Sequence, residues 1–237
     1  MTLNLHNWKT LLSNGFELKS SGTTGVAKSI FQTPEKLASA NRVALDAQKI
    51  THESRVLTVC NMAHAGGALA QTLPALSIGA YVEIKSFNAY GFWKDLHGFT
   101  HTHLTPAHCE ALIRTRSFST INLRGIFITC GSDNVSFNVI KAFVERGASF
   151  MCNWGMTEVG PIAINTVFDS EEKVLAYMQH AIPEATLMGD CYYCDHTIKD
   201  NALWIKGDIC VYQGWFNTGD KVAMNNAGAL YHMGRCI

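Results

Sequence analysis

The chain has 237 residues, enough for one large domain or two modest ones. Its residues are 47% apolar and only 16% charged, against about 25% charged in typical soluble domains, which excludes a disordered chain. Nineteen basic and nineteen acidic residues cancel, so there is no one-signed field to hold nucleic acid or an anionic membrane surface; with no basic n-region before an apolar core and no uninterrupted apolar span, the sequence reads as cytosolic, without nucleic-acid or membrane partners.

In chain order, the hydroxyl- and glycine-rich run Ser20-Ser21-Gly22-Thr23-Thr24-Gly25-Val26-Ala27-Lys28 comes first, followed by an extended stretch over 29–33. Thr33-Pro34-Glu35 is a helix start, with threonine as cap and proline at the first helical position. Leu37, Ala40, Val43, Ala44 and Ala47 then recur at helical spacing, which predicts a helix over 34–49. A buried-strand run covers 55–60, an Ala/Leu-rich helix 66–77 stops at Gly79, and 81–85 alternates as a strand. The unit repeats as a helical stretch at 89–97, a strand at 100–104, a helix opening at Thr105-Pro106, a strand at 125–130, a helix at 136–146 and a strand at 149–154. Strands alternating with helices require crossover connections, hence an α/β fold with a mostly parallel sheet flanked by helices. Past Gly160 the texture changes to short apolar runs at 162–167, 191–198, 203–206 and 208–212, with an acidic helical insert at 170–180. The predicted organisation is an α/β core over 1–170 and a smaller β-rich portion over 171–237. The eight cysteines are scattered; Cys60, Cys130 and Cys152 fall in strand runs as small buried hydrophobes, and all read as reduced thiols.

Two glycines among hydroxyl residues, closed by a lysine, let backbone amides approach an anion closely, and polyphosphate is the natural ligand. Gly22, Lys28 and Ser29 fit the Walker pattern, but Ala27 replaces its second glycine and Pro34 opens the helix several residues late. A polar turn that binds nothing remains open on the loop alone.

Four further motifs follow it: Asn153-Trp154-Gly155-Met156-Thr157-Glu158, Leu203-Trp204-Ile205-Lys206-Gly207, Trp215-Phe216-Asn217-Thr218-Gly219-Asp220, and Gly234-Arg235. In this order the five resemble motifs of the adenylate-forming (AMP-binding) superfamily, which includes acyl-CoA synthetases, nonribosomal peptide adenylation domains and luciferases. The resemblance implies ATP-dependent activation of a small-molecule carboxylate to an acyl-adenylate with release of pyrophosphate. ATP and Mg²⁺ are the implied cofactors, with coenzyme A or a carrier thiol as acceptor.

By the same resemblance Thr23, Thr24 and Lys28 would hold the β- and γ-phosphates, with Ser20, Ser21, Gly22 and Gly25 shaping the loop. Thr157 would donate to the α-phosphate and Glu158 would ligate Mg²⁺, a hard cation usually held by one or two carboxylates plus substrate phosphates. Lys28, Thr157 and Glu158 are thus the implied catalytic residues. Trp154, flanked by Gly155 and Met156, would pack against the adenine or the acyl group, or else be a core aromatic ending a strand. Gly131-Ser132-Asp133 falls at a strand end, where open α/β sheets bind ligands, and similar segments line the adenine. Asp220 would accept from the ribose hydroxyls and Arg235 would reach the ribose; His64, Gly66 and Gly67 resemble a His-x-x-Gly region beside the acyl pocket.

Two metal-like groupings carry less. His101 and His103 would share one face of a strand while His97 and His108 lie on flanking segments, and Cys191-Tyr192-Tyr193-Cys194-Asp195-His196 offers one C-x-x-C without a second pair. Family members also have a long region ahead of the loop, where 19 residues stand here, and a mobile C-terminal lid domain with a catalytic lysine beyond the Gly-Arg, where this chain ends at Ile237. The expectation is an incomplete adenylating core, with a separate chain supplying the lid domain, or a homodimer covering exposed sheet edge or apolar surface, as the partner hypotheses. A catalytically weak ATP/AMP- or acyl-binding module and a P-loop NTPase stay open as alternatives, and the acid is not readable.

Overall fold

The structure, a computed structural model, describes residues 2–20 and 28–236. The readings placed on Ser21, Gly22, Thr23, Thr24 and Gly25 therefore lie outside the described residues. Helix α1 (Trp8–Asn14) leads through Gly15 into β1 (Phe16–Lys19), which pairs antiparallel with β2 (Ser29–Gln32) in a two-stranded hairpin. Gly15 has φ +72°, and a Cβ there would strike the Phe31 ring and the Gln32 carbonyl, so this entry to the hairpin needs glycine. Residues 20–28 are the connection between the two strands.

Helix α2 (Pro34–Gln48) starts where the cap and proline predict, with Thr33 Oγ1 accepting from the Lys36 amide at 3.3 Å. It ends at Lys49 in the left-handed conformation, φ +56°. Next come β3 (Arg55–Thr58), α3 (Ala65–Gly67), a π-helical turn (Ala68–Thr72), α4 (Leu73–Ser77) and β4 (Tyr81–Ile84). The single helix predicted over 66–77 is thus broken, and Pro74 supplies the reason: it has no N–H for the Ala70 carbonyl. Gln48 Nε2 donates to that carbonyl instead, at 2.6 Å, while Thr72 Oγ1 donates to the Gly67 carbonyl at 2.7 Å.

The alternation continues with α5 (Phe92–Asp95), β5 (His101–Leu104), α6 (Pro106–Ile113), β6 (Phe127–Cys130), α7 (Phe137–Glu145) and β7 (Ser149–Met156). After these come β8 (Gly160–Phe168), α8 (Glu171–Gln179), β9 (Thr186–Gly189), β10 (Cys191–Tyr192), β11 (Asp195–Lys199), β12 (Ala202–Lys206), β13 (Phe216–Met224) and β14 (Leu230–Arg235).

The large sheet has the order β10-β8-β7-β6-β5-β3-β4. Strands β4, β3, β5, β6 and β7 are parallel, and β8 and β10 close one edge antiparallel. Strand order reverses between β3 and β5, which opens a crevice at their carboxyl ends. The second sheet, β11-β12-β13-β14-β9, is wholly antiparallel. Leu203, Ile205, Val222 and Leu230 from its strands share a buried cluster with Met151, Ile162 and Ile164 of the large sheet. A larger cluster around Phe143, Phe150, Phe168 and Tyr231 fills the other face under α6, α7 and α8.

The apolar run at 208–212, counted above among the β-rich segments, is a turn. Cys210 N donates back to the Gly207 carbonyl at 3.0 Å, and Ile209 and Cys210 are buried. Their apolar character serves core packing, not a sheet ladder. Among the described residues no helix is long and apolar enough to cross a membrane.

Candidate nucleotide site

The hairpin brings the two ends of the glycine loop together. Ser20 N donates to the Lys28 carbonyl at 2.9 Å and Lys28 N donates to Ser20 Oγ at 3.0 Å, with Lys28 itself exposed. On the other side of β2, the wholly buried Gln32 donates from Nε2 to the Thr157 carbonyl at 3.1 Å. The strand that leaves the loop is therefore bonded to the segment carrying Thr157 and Glu158.

That segment is the tight connection between β7 and β8. Gly155 faces the backbone of Gly160 and Pro161 so closely that a Cβ would overlap it, and Gly160 has φ +100°. Two glycines thus make the turn, and Val211 N donates to the Glu158 carbonyl at 2.8 Å to hold its far side. Thr157 is buried and Glu158 half-buried. Behind them lies Lys36, whose Nζ donates to Gln32 Oε1. Burial lowers its ammonium to about 8, an effect opposed by the neighbouring ionisable groups of Cys210 and Glu158.

Asn153, the first residue of the motif, packs against Gly131 at the end of β6, where a Cβ would come within 2.7 Å of the Asn153 amide. Asn153 Nδ2 donates to the Pro161 carbonyl at 2.5 Å. Ser132 follows with φ +75°, turning Ser132 and Asp133 outward. Trp154 donates from Nε1 to Asp220 Oδ2 at 2.9 Å. The other carboxylate oxygen of Asp220 accepts from Arg235 Nη1 at 2.5 Å and lies 3.5 Å from His232 Nε2. Burial pushes the Asp220 carboxyl up, but the hydrogen bonds from His232 and Arg235 outweigh it and hold the group below its usual range. Its backbone is fixed as well: Asp220 N donates to Thr218 Oγ1 at 3.1 Å, and that hydroxyl donates to the Leu203 carbonyl at 2.9 Å.

The end of β7 and its turn therefore collect most of the sequence-derived site. Gly131 meets it at Asn153, Asp220 and its partner Arg235 at Trp154, and the far end of the strand leaving the glycine loop at Thr157. His64 and Gly66 stand apart, in the crevice between β3 and β5. His64 is exposed, and the Gly66 carbonyl is bonded to His103 Nδ1 at 2.8 Å. Because that carbonyl can only accept, Nδ1 carries the proton, and Nε2 of the buried His103 has no partner among the described residues. Gly67 is buried, and a Cβ there would overlap the Asn61 backbone.

Gln32, Lys36, Val211 and His232 escaped sequence reasoning. Lys36 alone left a local signal, as a charged residue one position before Leu37 at the head of an apolar helical stripe. Among the described residues no three His, Cys, Asp or Glu side chains converge on a metal position. Glu158 alone at the turn fits a cation that takes one protein carboxylate and completes its shell with phosphate oxygens and water, as Mg²⁺ does.

The sequence profile described as AMP-binding enzyme matches residues 20–187, well over half of the chain. The chain belongs to this family. An indoleacetate–CoA ligase of Aromatoleum aromaticum is 29% identical over 239 residues, covering 91% of this chain and 46% of that protein. The inhibitor-bound N-terminal domain of FACL13 from Mycobacterium tuberculosis superposes with a TM-score of 0.78 at 18% identity, over 93% of this chain and 60% of that one. ATP-bound MatB from Rhodopseudomonas palustris gives 0.74 at 16% identity, over 92% and 47%. The chain spans less than half the length of its ligase relative. The two structural likenesses show the fold, whose mixed large sheet flanked by helices and smaller antiparallel sheet agree with the architecture expected from the sequence.

Proposed function

We propose that this AMP-binding enzyme chain carries the nucleotide site of an AMP-forming ligase, which activates a carboxylic acid as its acyl-adenylate and releases pyrophosphate. The observation that carries the reading is the convergence on 153–158 of the strand leaving the glycine loop, the Gly131 strand end and the Asp220–Arg235 pair. The ligase relative supports coenzyme A as the eventual acceptor, and the MatB structure supports ATP as the nucleotide.

In this reading Ser20 to Lys28 receives the β- and γ-phosphates. Thr157, fixed through its carbonyl, donates from its hydroxyl to the α-phosphate. Asp220 accepts from a ribose hydroxyl while Arg235 stays on its other oxygen, and the Trp154 ring lies along the base with Gly131, Ser132 and Asp133 at its edge. Gly155 and Met156 complete that wall. Glu158 would hold Mg²⁺, which would neutralise charge on the phosphates. His64, Gly66 and Gly67, in the β3–β5 crevice, border the acyl group. Catalysis rests on alignment of the carboxylate with the α-phosphorus and on charge stabilisation, since phosphoryl-type transfers need little covalent help from the protein.

The test is carboxylate-dependent ATP–pyrophosphate exchange by the chain, with a panel that includes indoleacetate, other aryl acids and fatty acids. Exchange with any acid supports the ligase. Saturable ATP binding with no exchange by any acid overturns it in favour of a nucleotide-binding module, and phosphate release without acid overturns both.

A further inference from the structure

Lys36 is a buried charge that the reading above leaves without a task. It is 3% exposed, on the inner side of α2. Among the described residues its ammonium has a single hydrogen-bond partner, Gln32 Oε1, and no carboxylate within ion-pair distance. A buried ammonium is unfavourable unless its charge is used, and an apolar side chain would fill the same space without that cost. Its effect falls on Gln32. By donating to Oε1 it fixes which end of the amide faces which way, so Nε2 is directed to the carbonyls of Thr157, at 3.1 Å, and Ile30, at 3.3 Å. A charged donor on one end of the amide also strengthens donation from the other. The chain Lys36–Gln32–Thr157 thus joins α2, the strand leaving the glycine loop, and the β7–β8 turn. Glu158 from that turn and Cys210 from the 208–212 turn are the other ionisable groups acting on Lys36.

We propose that Lys36 is a positioning residue which, through Gln32, couples β2 to the Thr157–Glu158 turn, so that the triphosphate end of a bound nucleotide depends on it and the adenosine end does not. The proposal rests on the nucleotide-site reading. The adenosine contacts run through Trp154, Asp220 and Arg235, and none of their hydrogen bonds involves Gln32 or Lys36.

The experiment measures ATP and adenosine dissociation constants, with Mg²⁺ present, for the wild-type chain, Lys36→Met and Gln32→Glu. The glutamate leaves Lys36 an acceptor but removes the donor to Thr157. Both variants are expected to weaken ATP by ~10-fold, the worth of one charge-assisted bond, with adenosine unchanged within about twofold. Parallel loss of ATP and adenosine, or an unchanged ATP:adenosine affinity ratio in either folded variant, overturns the proposal while leaving the nucleotide site intact. Failure of both variants to fold would make the pair structural and overturn it too. A wild-type chain that binds neither ATP nor adenosine removes the underlying reading and the coupling together.

Discussion

Gly155 and Asp220 act on the site through opposite means, one by having no side chain and the other by the partners its side chain collects. Gly155→Ala pushes a methyl group into the Gly160–Pro161 backbone, and the turn must open to take it. The expected loss is about 1–3 kcal/mol of unfolding free energy, the usual cost of overpacking, read from urea denaturation. Asp220→Asn removes the charge that Trp154, Arg235 and His232 surround. Because the folded carboxyl lies below its unfolded value of 3.8, the charge contributes stability that is fully present above that value and is lost as pH falls through the folded pKa. The variant should therefore melt well below wild type at pH 7, and the gap should close in the acid range below 3.8. A gap independent of pH would contradict the assignment. At this scale the sequence showed what was local. Thr157, Glu158 and Asp220 were readable because each stands inside a short motif, whereas Gln32 and Lys36 were not, since the partner that gives Gln32 its meaning is 125 residues away.

Elements came through the sequence wherever a cap or a period marked them. Pro34, Pro106 and Ser136 all stand where their helices begin, and β6 and the first half of β7 read as apolar runs because both faces are covered, whereas β5 is buried with His101, Thr102 and His103 in it. Helix α1 was missed, having only 7 residues and no side-chain cap. Strand β13 was missed because Asn217, Gly219 and Asp220 disguise its alternation, and its register shifts at Asp220. The broken helix after β3 depends on Gln48, which serves the Ala70 carbonyl, accepts from Gln71 and, at 2.5 Å, from Thr129. Gln48→Leu strands those buried groups and should cost ~3 kcal/mol, measurable by chemical denaturation. Strand β5 carries a second prediction. Burial holds His103 down to about 4 and lowers His101 as well, so the folded state binds fewer protons than the unfolded chain below about 6.5. Stability should fall as pH drops from 6.5 toward 4, and His103→Gln should flatten that slope in urea titrations at successive pH values.

At the scale of the molecule, the alternation of strands and helices was enough to expect a parallel sheet, but not its order. The β4-β3-β5-β6-β7 arrangement puts the crevice of His64, Gly66 and His103 beside β6 and the Gly131 turn, and β7 beyond it leads into the Trp154–Glu158 segment. The antiparallel sheet delivers Asp220 and Arg235 to the end of β7 from a different layer, an arrangement that no local pattern encodes.

The Trp154–Asp220 hydrogen bond also makes the protein optically readable. An indole whose N–H is held by a buried carboxylate changes its excited-state environment whenever that carboxylate changes partner. Occupation of the ribose position should therefore shift or quench the emission of Trp154, and Trp154→Phe should abolish the signal while the other four tryptophans remain. The adenosine end of the site would then report its own filling without a label, in a chain that need not turn over to be observed.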